Sequence, residues 1–172
     1  MIGKQGRIFQ YDANKDDFRM VYRLPDTSET ISCGYLDRNN NIWLCRKDTI
    51  LLYNIKDARI FQFSNIFHTS ITAIEQVDEH HFFIATETGV RYVKLENDIL
   101  EIIPVETLDY FHAQVSELYF HQQLKRLFIG SFERGVFVYD TNTQEIIRPD
   151  ADLSDVNIAC ILSLIHISEP TR

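Results

Sequence analysis

Two features of the sequence predict an all-β fold built from a repeat. Short alternating or continuous runs rich in Ile, Val, Phe, Tyr and Thr recur along the whole chain, and almost no window carries the 3.6-residue apolar period of a helix. The second feature is self-similarity: an aliphatic residue followed three positions later by Tyr or its equivalent recurs as Ile8 and Tyr11, Ile50 and Tyr53, Val90 and Val93, Val136 and Tyr139. The aliphatic members lie 42, 40 and 46 residues apart. A period near 40 to 46 residues with four strands per unit is the pattern of a β-propeller blade.

Taken in order, the N-terminal segment reads as the last two strands of a partial blade over residues 6–23. The first whole blade covers 30–63, with strands at 30–37, 42–45, 50–53 and 58–63. The second covers 70–105, with strands at 70–77, 82–86, 89–93 and 99–105, and the third covers 113–148, with strands at 113–121, 127–131, 135–139 and 144–148. Residues 156–161 read as the first strand of a further blade. A four-stranded sheet has two apolar faces and buries them only against neighbours, so the innermost strands should be crowded and the outermost exposed. Gly89 and Gly135 precede their third strands, where a positive-φ turn suits glycine, although Thr49 takes that place in the first copy. The expected architecture is an incomplete β-propeller of about three four-stranded antiparallel blades plus partial blades at both ends. Propellers close at about 4 to 8 blades, so residues 1–161 read as a piece of a larger ring. Residues 162–172 break the repeat and match one translated frame of a sequencing-library adapter, so nothing functional is assigned to them.

The chain has 172 residues, of which 45% are hydrophobic and 24% charged, enough apolar material for a buried core. A net charge of −8 argues against wrapping nucleic acid. No stretch reaches the roughly 18 apolar residues that would suggest a membrane span. The three cysteines, Cys33, Cys45 and Cys160, lack the paired spacing of a zinc or redox motif and read as ordinary buried thiols.

The phrase Asp37-Arg38-Asn39-Asn40-Asn41-Ile42-Trp43-Leu44-Cys45, followed by Ile50-Leu51-Leu52-Tyr53-Asn54, resembles the repeat of two-component regulator propellers. Leu127-Phe128-Ile129-Gly130-Ser131 with Gly135-Val136-Phe137-Val138-Tyr139-Asp140 is a second match. Only Trp43 keeps the family's Trp, with Phe83 and Phe128 in its place elsewhere, and Asn41 replaces the turn glycine. The resemblance implies the periplasmic sensor region of a hybrid two-component regulator of the Bacteroidetes type. It further implies a glycan-derived ligand, a membrane helix and histidine kinase elsewhere in the parent protein, and a homodimer there. The missing signal peptide and membrane helix then reflect truncation rather than residence in the cytoplasm.

Candidate sites follow from the blade geometry. Loops between second and third strands, and between blades, gather at one rim, where binding residues tend to lie. They carry Arg46, Lys47, His68, Glu87, Tyr110, His112 and Arg134, with Asp48, Phe111 and Glu133 beside them. Charged forks and aromatic faces suit an anionic or neutral oligosaccharide. Residues 12–16 mimic the start of a calcium loop, but Asn54 and Asp140 follow the same Tyr or its equivalent in other blades, which reads more simply as a recurring Asx turn. His80 and His81 are adjacent in a turn, poor geometry for joint ligation. No metal, cofactor or catalytic residue is assigned, and this segment is read as a non-enzyme. The alternatives are a propeller-fold lyase or hydrolase using a carboxylate or His near the central channel, and a protein-interaction scaffold.

Overall fold

The computed structural model describes residues 2–3, 7–24, 30–132 and 134–149. The strand expected at 156–161, the segment 162–172, Cys160 and Glu133 lie outside the described residues.

Four antiparallel sheets follow one another along the chain, each a simple meander. Sheet 1 contains β1 (Ile2–Gly3), β2 (Arg7–Asp12) and β3 (Asp17–Arg23). The expectation of two strands here is corrected by β1, which pairs Ile2 with Ile8. Sheet 2 is β4 (Cys33–Leu36), β5 (Asn41–Cys45), β6 (Thr49–Asn54) and β7 (Ile60–Ser64). Sheet 3 is β8 (Ile71–Gln76), β9 (His81–Thr86), β10 (Gly89–Glu96) and β11 (Ile99–Ile103). Sheet 4 is β12 (Val115–His121), β13 (Arg126–Ser131), β14 (Gly135–Asp140) and β15 (Glu145–Ile147). A single turn of helix, α1 (Glu106–Asp109), joins sheets 3 and 4.

Alternation along the strands divides the core into three shared clusters. On β5, Trp43 and Cys45 face β8 and β9 of sheet 3, whereas Leu44 joins Ile8 and Leu24 in a cluster with sheet 1. On β9, Phe82 and Ile84 belong to the cluster with sheet 2, and Phe83 and Ala85 to the cluster with sheet 4. Each sheet is therefore covered by the next. Outermost strands β7 and β11 carry exposed residues at alternate positions or more, as expected. Innermost β8 is almost wholly enclosed. Innermost β4 departs from that expectation, since Leu36 is 60% exposed. It is also shorter than predicted, because Ser32 N–H already donates to the Cys45 carbonyl at 2.9 Å, outside the regular ladder.

The turn motif has a physical basis. Asp37 is buried, and its carboxylate accepts from Asn39 N–H, Asn41 N–H, the Asn41 amide and the indole of Trp43, at 2.8 to 3.0 Å. The Asp-to-Trp spacing thus closes the β4–β5 turn around one carboxylate. The Asx turns are present too: Asp12, Asn54 and Asp140 each accept the N–H two residues on.

Candidate functional site

The rim residues fall into two groups. In the first, Asn65 is the organiser: its buried side-chain amide donates to the carbonyls of Arg46, Lys47 and Thr69, and its oxygen accepts from Phe67 N–H. His68 sits in this turn at φ 55°, exposed, and Thr69 Oγ1 donates to the exposed Glu87 carboxylate at 3.4 Å. Lys47 is exposed, but Arg46 is only 6% exposed, because the β5–β6 turn folds beneath the 65–70 segment. This group joins the β5–β6 turn, the sheet 2 to sheet 3 connection and the β9–β10 turn.

The second group surrounds Phe137. The guanidinium of Arg134 lies 5.7 Å from the ring centroid, and that of Arg148 lies 5.6 Å from it. Phe111 meets the same ring edge-on at 5.1 Å. Arg134 also donates to the His112 carbonyl at 2.7 Å, and Arg148 to the Arg134 carbonyl at 3.3 Å. Tyr110, at the end of α1 and one residue before Phe111, is 76% exposed. Arg91 reaches up from β10 to donate to the Leu108 carbonyl, with Asp109 at 4.0 Å. The close approach of this connection depends on Gly89: a Cβ there would run into the Phe111 carbonyl. Of the residues singled out from the sequence, Tyr110 and His112 lie on this connection, and Arg134 reaches it. Sequence reasoning missed Arg91 and Arg148 because both were read as strand residues, although Arg91 interrupts the apolar run 89–93.

A third constellation lies along the innermost strands. Tyr35, Glu75 and Tyr119 occupy equivalent positions, opposite Trp43, Phe83 and Phe128 in their own sheets. The Tyr35 hydroxyl accepts Gln76 N–H, and Glu75 Oε1 accepts Phe120 N–H, both at 3.1 Å, so each side chain caps the edge of the next innermost strand. The reverse direction is also tied. Gln76 Oε1 accepts Arg38 N–H, and the Gln122 amide donates to the Val77 carbonyl, both at 2.7 Å. Burial pushes the Glu75 carboxyl up to about 7, opposed by the Phe120 N–H and Arg38 and assisted by Glu117. Burial together with the Glu75 charge pushes the Tyr35 hydroxyl up to about 12. Arg38, Glu75, Tyr119 and Gln122 line a groove of about 270 Å³.

His81, read from sequence as a turn residue, instead opens β9; it stacks on Tyr92 and lies 2.8 Å from the Asp78 carboxylate.

A scan against protein-family models finds no match, and neither does a comparison with curated proteins. Solved structures do resemble the chain. Sqt1 of Saccharomyces cerevisiae superposes with a TM-score of 0.66 at 14% identity, over 84% of this chain and 45% of that one. The β-propeller domain of Cps50 (Swd1) from Myceliophteria thermophila gives 0.61 at 15% identity, over 84% and 49%. The extracellular domain of the hybrid two component system BT4673 from B. thetaiotaomicron gives 0.53 at 19% identity, over 72% and 16%. The chain thus spans about half the length of the first two. These likenesses show the fold: four successive blades of a β-propeller, the first of them three-stranded in the described residues.

Proposed function

We propose that the chain belongs to the periplasmic sensor propeller of a hybrid two-component regulator and binds a glycan fragment without turning it over. The observation that carries this reading is the pair of guanidinium groups, Arg134 and Arg148, over the Phe137 ring on the predicted rim, with Arg134 tied to the His112 carbonyl and the exposed Tyr110 on that same connection. A guanidinium has five N–H donors in a fixed fork, and the His112 carbonyl takes one from Arg134, leaving a geometry suited to sugar hydroxyls or a carboxylate. Tyr110 offers an aromatic face for the apolar side of a sugar ring. The Asp37-to-Trp43 turn supports the two-component regulator reading, and the BT4673 extracellular domain has the same fold. Binding would bias the geometry of a homodimer and so a histidine kinase elsewhere in the parent, a population shift set by differential affinity. Calorimetric titration with a panel of oligosaccharides tests the reading. Saturable binding that falls about tenfold or more in Arg134→Ala and Tyr110→Ala is expected. Affinity unchanged in both variants would overturn the rim assignment.

One observation favours the enzyme alternative: a carboxyl raised to about 7 on a groove is suited to general acid work. Chromatography of the same glycans after incubation separates the two readings. Product that disappears in Glu75→Gln supports the enzyme, and binding without product supports the sensor.

A further inference from the structure

Cys33 and Cys45 show no motif spacing, yet they are register partners across the antiparallel pair β4–β5. Directly opposite residues of such a ladder project to the same face, with Cα atoms about 4.5 to 5.5 Å apart. That separation falls inside the window of about 4.4 to 6.8 Å that a disulfide requires. Both side chains join the apolar cluster between sheets 2 and 3, where Cys45 is buried and Cys33 lies half-buried at the margin. The neighbouring Cys45 thiol draws the Cys33 thiol below its ordinary range, while Cys33 and burial hold the Cys45 thiol well above it.

We propose that Cys33 and Cys45 are a disulfide site that staples the innermost strand of sheet 2 to its neighbour. Cys33, the more accessible of the two, is the attacking thiol. Its thiolate attacks one sulfur of an oxidant disulfide, either a protein disulfide or oxidised glutathione, forming a mixed disulfide and releasing one thiolate. The Cys45 thiol gives its proton to solvent, and its sulfur attacks Cys33 Sγ, expelling the second thiolate. Two cysteine thiols are oxidised, and one oxidant disulfide is reduced to two thiols. The pairing rests on the strand register. Its presence in the cell rests on the periplasmic reading above, because disulfides persist in oxidising compartments.

Arg38 lies between the two cysteines, so trypsin places them on separate peptides, 24–38 and 39–46, with Cys160 on a third. The native full chain is treated with oxidised glutathione, alkylated and digested. The expected product is peptide 24–38 joined to 39–46, lighter by two hydrogens than the sum of the reduced pair, and absent in Cys33→Ser. The same treatment in urea should instead scatter cross-links among all three cysteines. A native chain that yields the scattered mixture, alkylated Cys33 and Cys45, or Cys33 still carrying glutathione would overturn the pairing. A second arm traps thiols in the producing cell. The bond found there supports the periplasmic reading, whereas reduced cysteines in the cell with bond formation in vitro would overturn that reading and leave the pairing standing.

Discussion

Asp37 shows how one residue can organise a turn. Its carboxylate accepts from two backbone N–H groups, an amide and an indole, and it is 4% exposed. Asp37→Ala would strand these donors, including the buried Trp43 Nε1, at a cost of about 3 kcal/mol in urea unfolding. Glu75 gives a pH dependence whose sign is opposite to that of an ordinary paired carboxylate. Its folded value is raised to about 7 from 4.5, so the folded chain retains a proton that the unfolded chain releases. Stability from this group therefore falls as pH rises from about 4.5 to about 7 and is level above that. Glu75→Gln keeps an acceptor for the Phe120 N–H and removes the titration. Thermal melts should find the variant more stable than the natural chain at pH 8, by on the order of 2 kcal/mol, and equal to it at pH 4.

At the scale of elements, the strands were legible because each alternates between two buried faces or between core and solvent. The β10–β11 hairpin closes with Asn97 and Asp98 at φ 50° and 61°, residues that tolerate the left-handed region. Helix α1 was not legible: four residues are too few to show a period, and Leu108 alone is buried. The candidate site was legible in part. Loop position singled out Tyr110, His112 and Arg134, but not that Arg148, one residue past β15, would meet the same Phe137 ring as Arg134. Nor did it show that Arg46 would be covered, since local polarity does not reveal what folds over a turn. The Cys33–Cys45 pairing depends on hairpin register, which a 12-residue separation does not display. Gly89 links element to site. At φ 156°, and against the Phe111 carbonyl, it admits no side chain without displacing the connection that carries Tyr110 and His112. Gly89→Ala should cost about 2 kcal/mol and, in the same titrations, weaken oligosaccharide binding although residue 89 touches no ligand.

At the scale of the whole molecule, no sheet owns its core. Phe83 touches Tyr92 in its own sheet and Phe120 and Tyr139 in the next, so its loss acts on both. Phe83→Ala should cost about 3 to 5 kcal/mol, and hydrogen exchange should speed in β12 and β14 as well as β9. Exchange confined to β9 would show that the sheets unfold independently. The seam between sheets 2 and 3 has a further property. Trp43 is the only tryptophan in the chain, lies fully buried in that seam, and packs against Phe82 of sheet 3 at 4.9 Å. Its fluorescence therefore reports on one junction alone. A blue-shifted emission marks two blades in contact, and a red shift that precedes the loss of β-sheet circular dichroism would time their parting within the unfolding of the array.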